Sequence, residues 1–271
     1  MAIPFDATAE QAPAPIDSVE LDKEYDKLLW QDAAQSYELP HSHSHLALAE
    51  GFAILLGADA ERYAFLANGM ELPQTEAVLS DLSTNSTTYI DHYDDGFVGD
   101  SDWSDIDAAD FLKQMQENEL ASNDERVANG HEASEVIGWI EEPSYDSATH
   151  VAHYVVEMSN AHFHWVNAVA IKLGRSGYQQ ITWAGDLDQF KTDGPRILKT
   201  ALDSHSYDTG HKYADFKDGD KIAAYGLAGL MAAVAGVKLG KGLLAGIFAF
   251  ISQERSSSSC SCRWQLVSSR E

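Results

Sequence analysis

The feature that most limits what this chain can fold into lies near its C-terminus: sixteen uncharged residues, positions 222–237, then Lys238-Leu-Gly-Lys241 and a second apolar run at 242–251. As one helix the stretch would reach about 45 Å, whereas a bilayer's hydrocarbon core is about 30 Å thick and takes about 20 residues. Both runs therefore cannot be core. A lysine at the membrane centre costs roughly 2.5–3.5 kcal/mol, but at a helix end it snorkels to the headgroups for much less. The expected span is thus 222–239, with 242–251 at the interface or lengthening a tilted helix. Gly229 and Ala233, Ala232 and Gly236, and Gly236 and Gly240 are each four apart, a spacing that lets transmembrane helices approach closely. The competing reading is a helical hairpin buried in a soluble protein.

Charge narrows the partners. Forty-three acidic against eighteen basic side chains leave a formal net charge of −25, a field that repels phosphate backbones and excludes nucleic acid. The two cysteines, Cys260 and Cys262, sit together near the C-terminus, so neither disulfides nor a Cys-rich zinc site organise the fold. Residues 1–16 are rich in Ala and Pro and hold no Lys or Arg, which reads as a flexible leader rather than a signal peptide.

Between leader and apolar segment the patterning is mixed. Asp17 and Glu20 start a helix through Val19, Leu21, Tyr25, Leu28 and Leu29 that Pro40 ends. Residues 46–56 suggest one or two short strands, and 59–67 a helix stopped by Asn68 and Gly69. Asp95-Gly96, between 87–90 and 97–98, favours a hairpin turn. Asp105 or Asp107 caps a long helix through Leu120. Residues 136–140, 151–158, 163–173 and 178–183 read as strands, with a turn at 174–177. Pro195 suits the first turn of a helix through Leu202. The expectation is an α+β fold: a mixed domain with an antiparallel sheet and flanking helices, plus one C-terminal transmembrane helix. Its divisions are the leader 1–16, an acidic domain 17–220, an anchor segment 221–251 and a low-complexity tail 252–271.

Six segments occur in a fixed order: Tyr-Ile-Asp-His-Tyr-Asp-Asp-Gly-Phe-Val (89–98), Trp-Ser-Asp-Ile-Asp-Ala-Ala-Asp (103–110), Gly-Trp-Ile-Glu-Glu-Pro-Ser-Tyr-Asp (138–146), Leu-Gly-Arg-Ser-Gly (173–177), Gly-His-Lys-Tyr-Ala-Asp-Phe (210–216) and Asp-Lys-Ile-Ala-Ala-Tyr-Gly-Leu (220–227). Together they resemble the bacterial membrane-anchored proteins of the domain of unknown function 2167 family, over roughly 45–251. The resemblance implies an exported, membrane-anchored protein and supplies no reaction, substrate or catalytic residue. The tail from Ser256, with Cys260-Ser-Cys262, departs from the lysine-rich apolar ends of that family. Lys238, Lys241, Arg255 and Arg263 follow the span and Lys212, Lys217 and Lys221 precede it, which favours a cytoplasmic tail and an exterior domain. Export would then require a start upstream of Met1, and the rival is a tail-anchored protein whose domain stays inside.

Candidate chemistry is sparse. Eight aspartates fall between Asp91 and Asp110, and hard cations want such oxygen ligands. Asp91, Asp94, Asp95 and Asp102 are the candidate metal ligands, although Tyr93 and Asp102 spoil an EF-hand match. The histidines His41, His43 and His45, His150 and His153, and His162 and His164 could serve zinc or copper only if they converged. Glu141 and Glu142, adjacent on a strand, face opposite ways and cannot pair. Arg175 could bind an anion, and Ser176 lacks a nucleophile elbow. The sequence thus leads to no catalytic residue and no cofactor. It leads to a non-enzymatic envelope protein at a bacterial inner membrane, single-pass, with an extracytoplasmic domain. Its partners would be the lipid bilayer and a second copy or another envelope protein, with helix packing through Gly229, Ala233, Gly236 and Gly240. The alternative is a membrane-tethered hydrolase or metal-dependent enzyme using 91–110.

Overall fold

The structure, a computed structural model, describes residues 18–68, 71–128 and 132–235. After helix α1 (Ser18–Tyr25), strands β1 (Ser36–Leu39) and β2 (Ser44–Ala47) form a small antiparallel sheet that β10 (His205–Tyr207) completes from far along the chain, in the order β1-β2-β10. The main sheet joins two meanders. One is β3 (Phe52–Leu56), β4 (Thr75–Asp81) and β5 (Ser86–Tyr93), and the other is β6 (Ser134–Asp146), β7 (Val151–Asn160), β8 (His164–Leu173) and β9 (Tyr178–Asp186). Antiparallel pairing of β5 with β9 fuses them in the order β3-β4-β5-β9-β8-β7-β6.

Alternation along these strands sends apolar side chains to both faces, because both are covered. On one face Ile54, Leu79, Ile90, Val155, Ala168, Ile181 and Trp183 meet the small sheet and helix α4 (Leu187–Ser204), which contributes Phe190, Ile197, Leu198 and Ala201. On the other face Leu55, Val78 and Tyr89 lie under α2 (Ala58–Asn68). Tyr154, Val169, Ile171 and Tyr178 lie farther along that face under α3 (Ala108–Ala128) and α5 (Leu227–Val234). The mixed α+β fold with an antiparallel sheet is as expected, as are α2, α3 and the run of strands from β6 to β9.

Four local expectations are corrected. The first helix stops at Tyr25, and its predicted end is β1, where Tyr37 and Leu39 alternate inward with period two. Asp95-Gly96 makes no hairpin. Gly96 does have φ +100°, but its amide donates to the Ser176 carbonyl and Phe97 then pairs with Ile222, so the chain leaves the sheet. The strand read at 136–140 is longer at both ends: β6 runs from Ser134 through Pro143 to Asp146, with bulges. Pro195 sits inside α4, whose start at Leu187 is set by the preceding Asp186, with its carboxylate accepting from the Asp188 and Gln189 amides.

The C-terminal apolar run is also used differently. Ala223 donates to the Phe97 carbonyl and Leu227 to that of Gly99, so 222–226 is not helical. In α5, Leu227, Leu230, Met231 and Ala232 are buried in the domain core, as is Ala235 just beyond it. The protein interior thus claims apolar surface that the sequence assigns to lipid. No helix among the described residues is long and apolar enough to cross a membrane. Gly236, Gly240 and the second apolar run lie outside the described residues, as do the leader and the tail.

Candidate functional site

A bulge in β4 creates the most distinctive polar geometry. Pairing with β5 skips between Thr75 and Ala77, which leaves Glu76 as the extra residue and re-aims its side chain. The Glu76 carboxylate is only 6% exposed. Its Oε1 accepts from the His41 amide at 2.7 Å and the Ser42 amide at 3.1 Å, and its Oε2 accepts from Gln179 Nε2 at 2.9 Å. The turn between β1 and β2 is thereby fastened to the main sheet. Thr75 turns the other way and donates its hydroxyl to Asp91 Oδ1 at 2.6 Å.

Beside Glu76, the ends of β1, β3 and β5 and the start of α2 enclose a cavity of about 390 Å³. Glu38, His41, Glu61, Glu76 and His92 supply its charged and titratable groups, Pro40, Leu56 and Pro73 its apolar walls, and no Lys or Arg lines it. Burial lowers the His92 pKa, partly offset by the nearby charges of Glu76 and Asp94, so the ring is neutral near pH 7. Its Nδ1 is buried and has no partner. In the tautomer protonated on Nε2, that nitrogen is a bare acceptor. Asp59 and Glu61 occupy the first turn of α2 and complement its positive end. The result is a concave, acceptor-rich site of small-ligand size.

Behind this site is a buried polar chain. Ser42 and Ser44 hydroxyls lie 2.7 Å apart, and Ser44 Oγ is 2.9 Å from His205 Nε2. Burial, with Lys172 and His92 nearby, pushes the His205 pKa down to about 3. Ser44 and His205 are each 1% exposed, so this pair has no surface for a substrate and instead fastens β10 to β2 within the small sheet.

The aspartates singled out by sequence go to separate places. Asp91 is buried in the centre of the main sheet, where burial raises its pKa to about 6 against the hydrogen bond from Thr75. The Asp94 carbonyl accepts from Lys221 Nζ at 2.6 Å, and the Asp95 carboxylate accepts from the Tyr225 hydroxyl. Asp102 Oδ1 accepts from the Ala228 amide at 3.2 Å, at the start of α5. Asp107 caps α3 through the amides of Ala109 and Asp110, both at 3.0 Å. Among the described residues no three His, Cys, Asp or Glu side chains gather as metal ligands would.

The other candidates have local partners too. Arg175 is clasped by both carboxylate oxygens of Asp220, at 2.8 and 2.7 Å, and by the Gly210 carbonyl, so its guanidinium is engaged. His153 lies 3.3 Å from Glu141, while His162 and His164 pair with Glu132 and Glu157 at the surface. His43 stacks on His211, and His45 pairs with Asp208. Gly229 is buried in α5 with an added Cβ due 3.1 Å from that of Tyr225, and Ala233 is half-buried. The cleft itself was missed by sequence reasoning. Its residues come from four segments between 38 and 92 with no fixed spacing, and β4, which carries Glu76, was not foreseen.

Comparison with known proteins bears on the family and not on the cleft. The chain is similar to the solution structure of cyanobacterial PsbP (CyanoP) from Synechocystis sp. PCC 6803, at 13% identity over 66% of this chain and 94% of that one, with a TM-score of 0.39. That likeness is too loose to carry any argument. No curated protein matches the chain. The model for the proteins of unknown function, DUF2167, matches residues 31–257. Because that match takes in the whole main sheet, α2 to α5 and every segment of the ordered pattern from 89 to 227, the chain belongs to the DUF2167 family.

Proposed function

We propose that this chain is a non-enzymatic binding protein whose ligand enters the cleft beside Glu76. The observation that supports this most is the state of the Glu76 carboxylate, which two backbone amides and Gln179 hold in place. A carboxylate so engaged is fixed as a recognition group and is poorly free to carry a proton to and from a substrate. Ala58, exposed at the rim, offers a way to fill the cleft without disturbing the core. A small-molecule fragment panel, read by NMR line broadening on the full chain, is expected to give hits that vanish in Ala58→Phe. Identical profiles for the two proteins would overturn the proposal.

Membrane attachment is part of the same proposal, with its boundary moved. Since 222–235 is spent on the domain, attachment begins after Ala235 and rests on Lys238, Lys241 and the apolar residues 242–251. Ten residues would reach only about 15 Å as a helix, which suits an interfacial position better than a crossing. In this reading the chain sits at a bacterial inner membrane with its domain on the outer side. Cys260 and Cys262 are the chain's two thiols and can report on this. The chain should pellet with membranes, and because an interfacial segment leaves the tail on the same side as the domain, an impermeant maleimide should label it with the inner membrane intact. Recovery in the supernatant would overturn attachment, and labelling only after the inner membrane is permeabilised would overturn this placement.

A further inference from the structure

We infer that the occupant of the cleft is a small organic cation with N–H donors at both ends of a short methylene stem, such as a diamine or an aminoalkylguanidine. This rests on the reading of the cleft as a binding site and specifies its ligand. Charge comes first: Glu38, Glu61 and Glu76 line the cavity without any Lys or Arg. An anion would meet three carboxylates, and the one nearby helix start is already answered by Asp59 and Glu61.

The spread of the acceptors then separates one kind of cation from another. A metal ion needs several ligand atoms within about 2–2.6 Å of one point. No three such side chains gather in that way among the described residues. Donors distributed along a chain can instead meet the acceptors one at a time. A nitrogen at the inner end finds the buried Glu76 carboxylate and the ring of His92, both of which line the cavity. A nitrogen at the outer end finds Glu38 and Glu61, and Pro40, Leu56 and Pro73 offer apolar wall to the methylenes between. A neutral His92, whose pKa burial lowers, accepts an N–H bond that an imidazolium would refuse.

Titration calorimetry of the full chain in mild detergent tests this with agmatine and 1,4-diaminobutane as cations, 1,4-butanediol as the neutral analogue and succinate as the anion. The cations are expected to bind at one site, with the diol at least about tenfold weaker and succinate not binding. Glu61→Gln at the rim should weaken the cations about fivefold or more while lowering the melting temperature by no more than about 3 °C, the scale of one charge at a helix start. His92→Gln is the second variant and should weaken agmatine with little effect on the diol. Diol or succinate binding as tightly as the cations, and lost in Ala58→Phe, would overturn the cation and leave the cleft as a binding site. Stoichiometric zinc binding that His92→Gln abolishes would overturn it in favour of a metal. If Ala58→Phe alters the binding of no cation, diol, anion or fragment, both this inference and the proposed function fall.

Discussion

Asp91 shows how little an isolated residue type reveals. In sequence it is one of eight aspartates in a polar stretch, whereas in the fold it is the one that β5 delivers to a sheet centre flanked by β4 and β9. Strand parity decides this, since Asp91 follows Tyr89 by two along β5 and so shares its face, while the bulge at Glu76, which leaves no mark in composition, brings Thr75 opposite it. Burial raises the Asp91 pKa from 3.8 to about 6. Folding therefore favours the protonated acid: its contribution is fully present below the unfolded pKa near 4 and is lost as pH rises through about 6. A shift of this size corresponds to about 3 kcal/mol between pH 3.5 and 7.5. Denaturant melts of wild type and Asp91→Asn across that range should diverge by about that amount, with wild type losing stability relative to the variant as pH rises. Parallel curves would show that the carboxyl is not buried as the sheet requires.

Among the elements, those with long, sustained patterns were legible and those defined by tertiary partners were not. The strands from β6 to β9 carry β-branched and aromatic residues over nine or more positions each. The four residues of β1 and the polar start of β4 carry no such signal. Most instructive is α5, since Leu-Ala-Gly-Leu-Met-Ala-Ala-Val is equally suited to lipid and to a protein core, and hydropathy cannot choose. What decides is the surface left open by Val98, Phe111 and Tyr178 in the same cluster, together with the Asp102 carboxylate that accepts from the start of the helix. Leu230 is 1% exposed, and truncating a leucine so placed to alanine costs roughly 2–5 kcal/mol. Leu230→Ala should therefore lower the domain's unfolding free energy by that amount, measured by urea denaturation. A helix seated in a bilayer would leave the denaturation midpoint unchanged.

At the scale of the whole molecule, the net charge of −25 acts on folding and on the cleft with opposite signs. Like charges crowd together on folding, so the compact state is the one that self-repulsion disfavours. Going from about 0.01 M to about 1 M sodium chloride shortens the Debye length from about 30 Å to about 3 Å and removes most of that repulsion. The melting temperature should rise by about 3 °C or more, the scale of about 1 kcal/mol in a domain of this size. Asp91→Asn should show the same rise, because its buried site lies beyond the reach of counterions. Agmatine binding should respond in reverse, its affinity falling over the same range, since the field that strains the fold also draws a cation to Glu38, Glu61 and Glu76. A single salt series on one preparation, followed by melting and by calorimetry, should therefore give slopes of opposite sign. If stability does not change with salt, surface repulsion is not a significant cost in this protein. If affinity does not change, the cleft's carboxylates are not what holds its ligand.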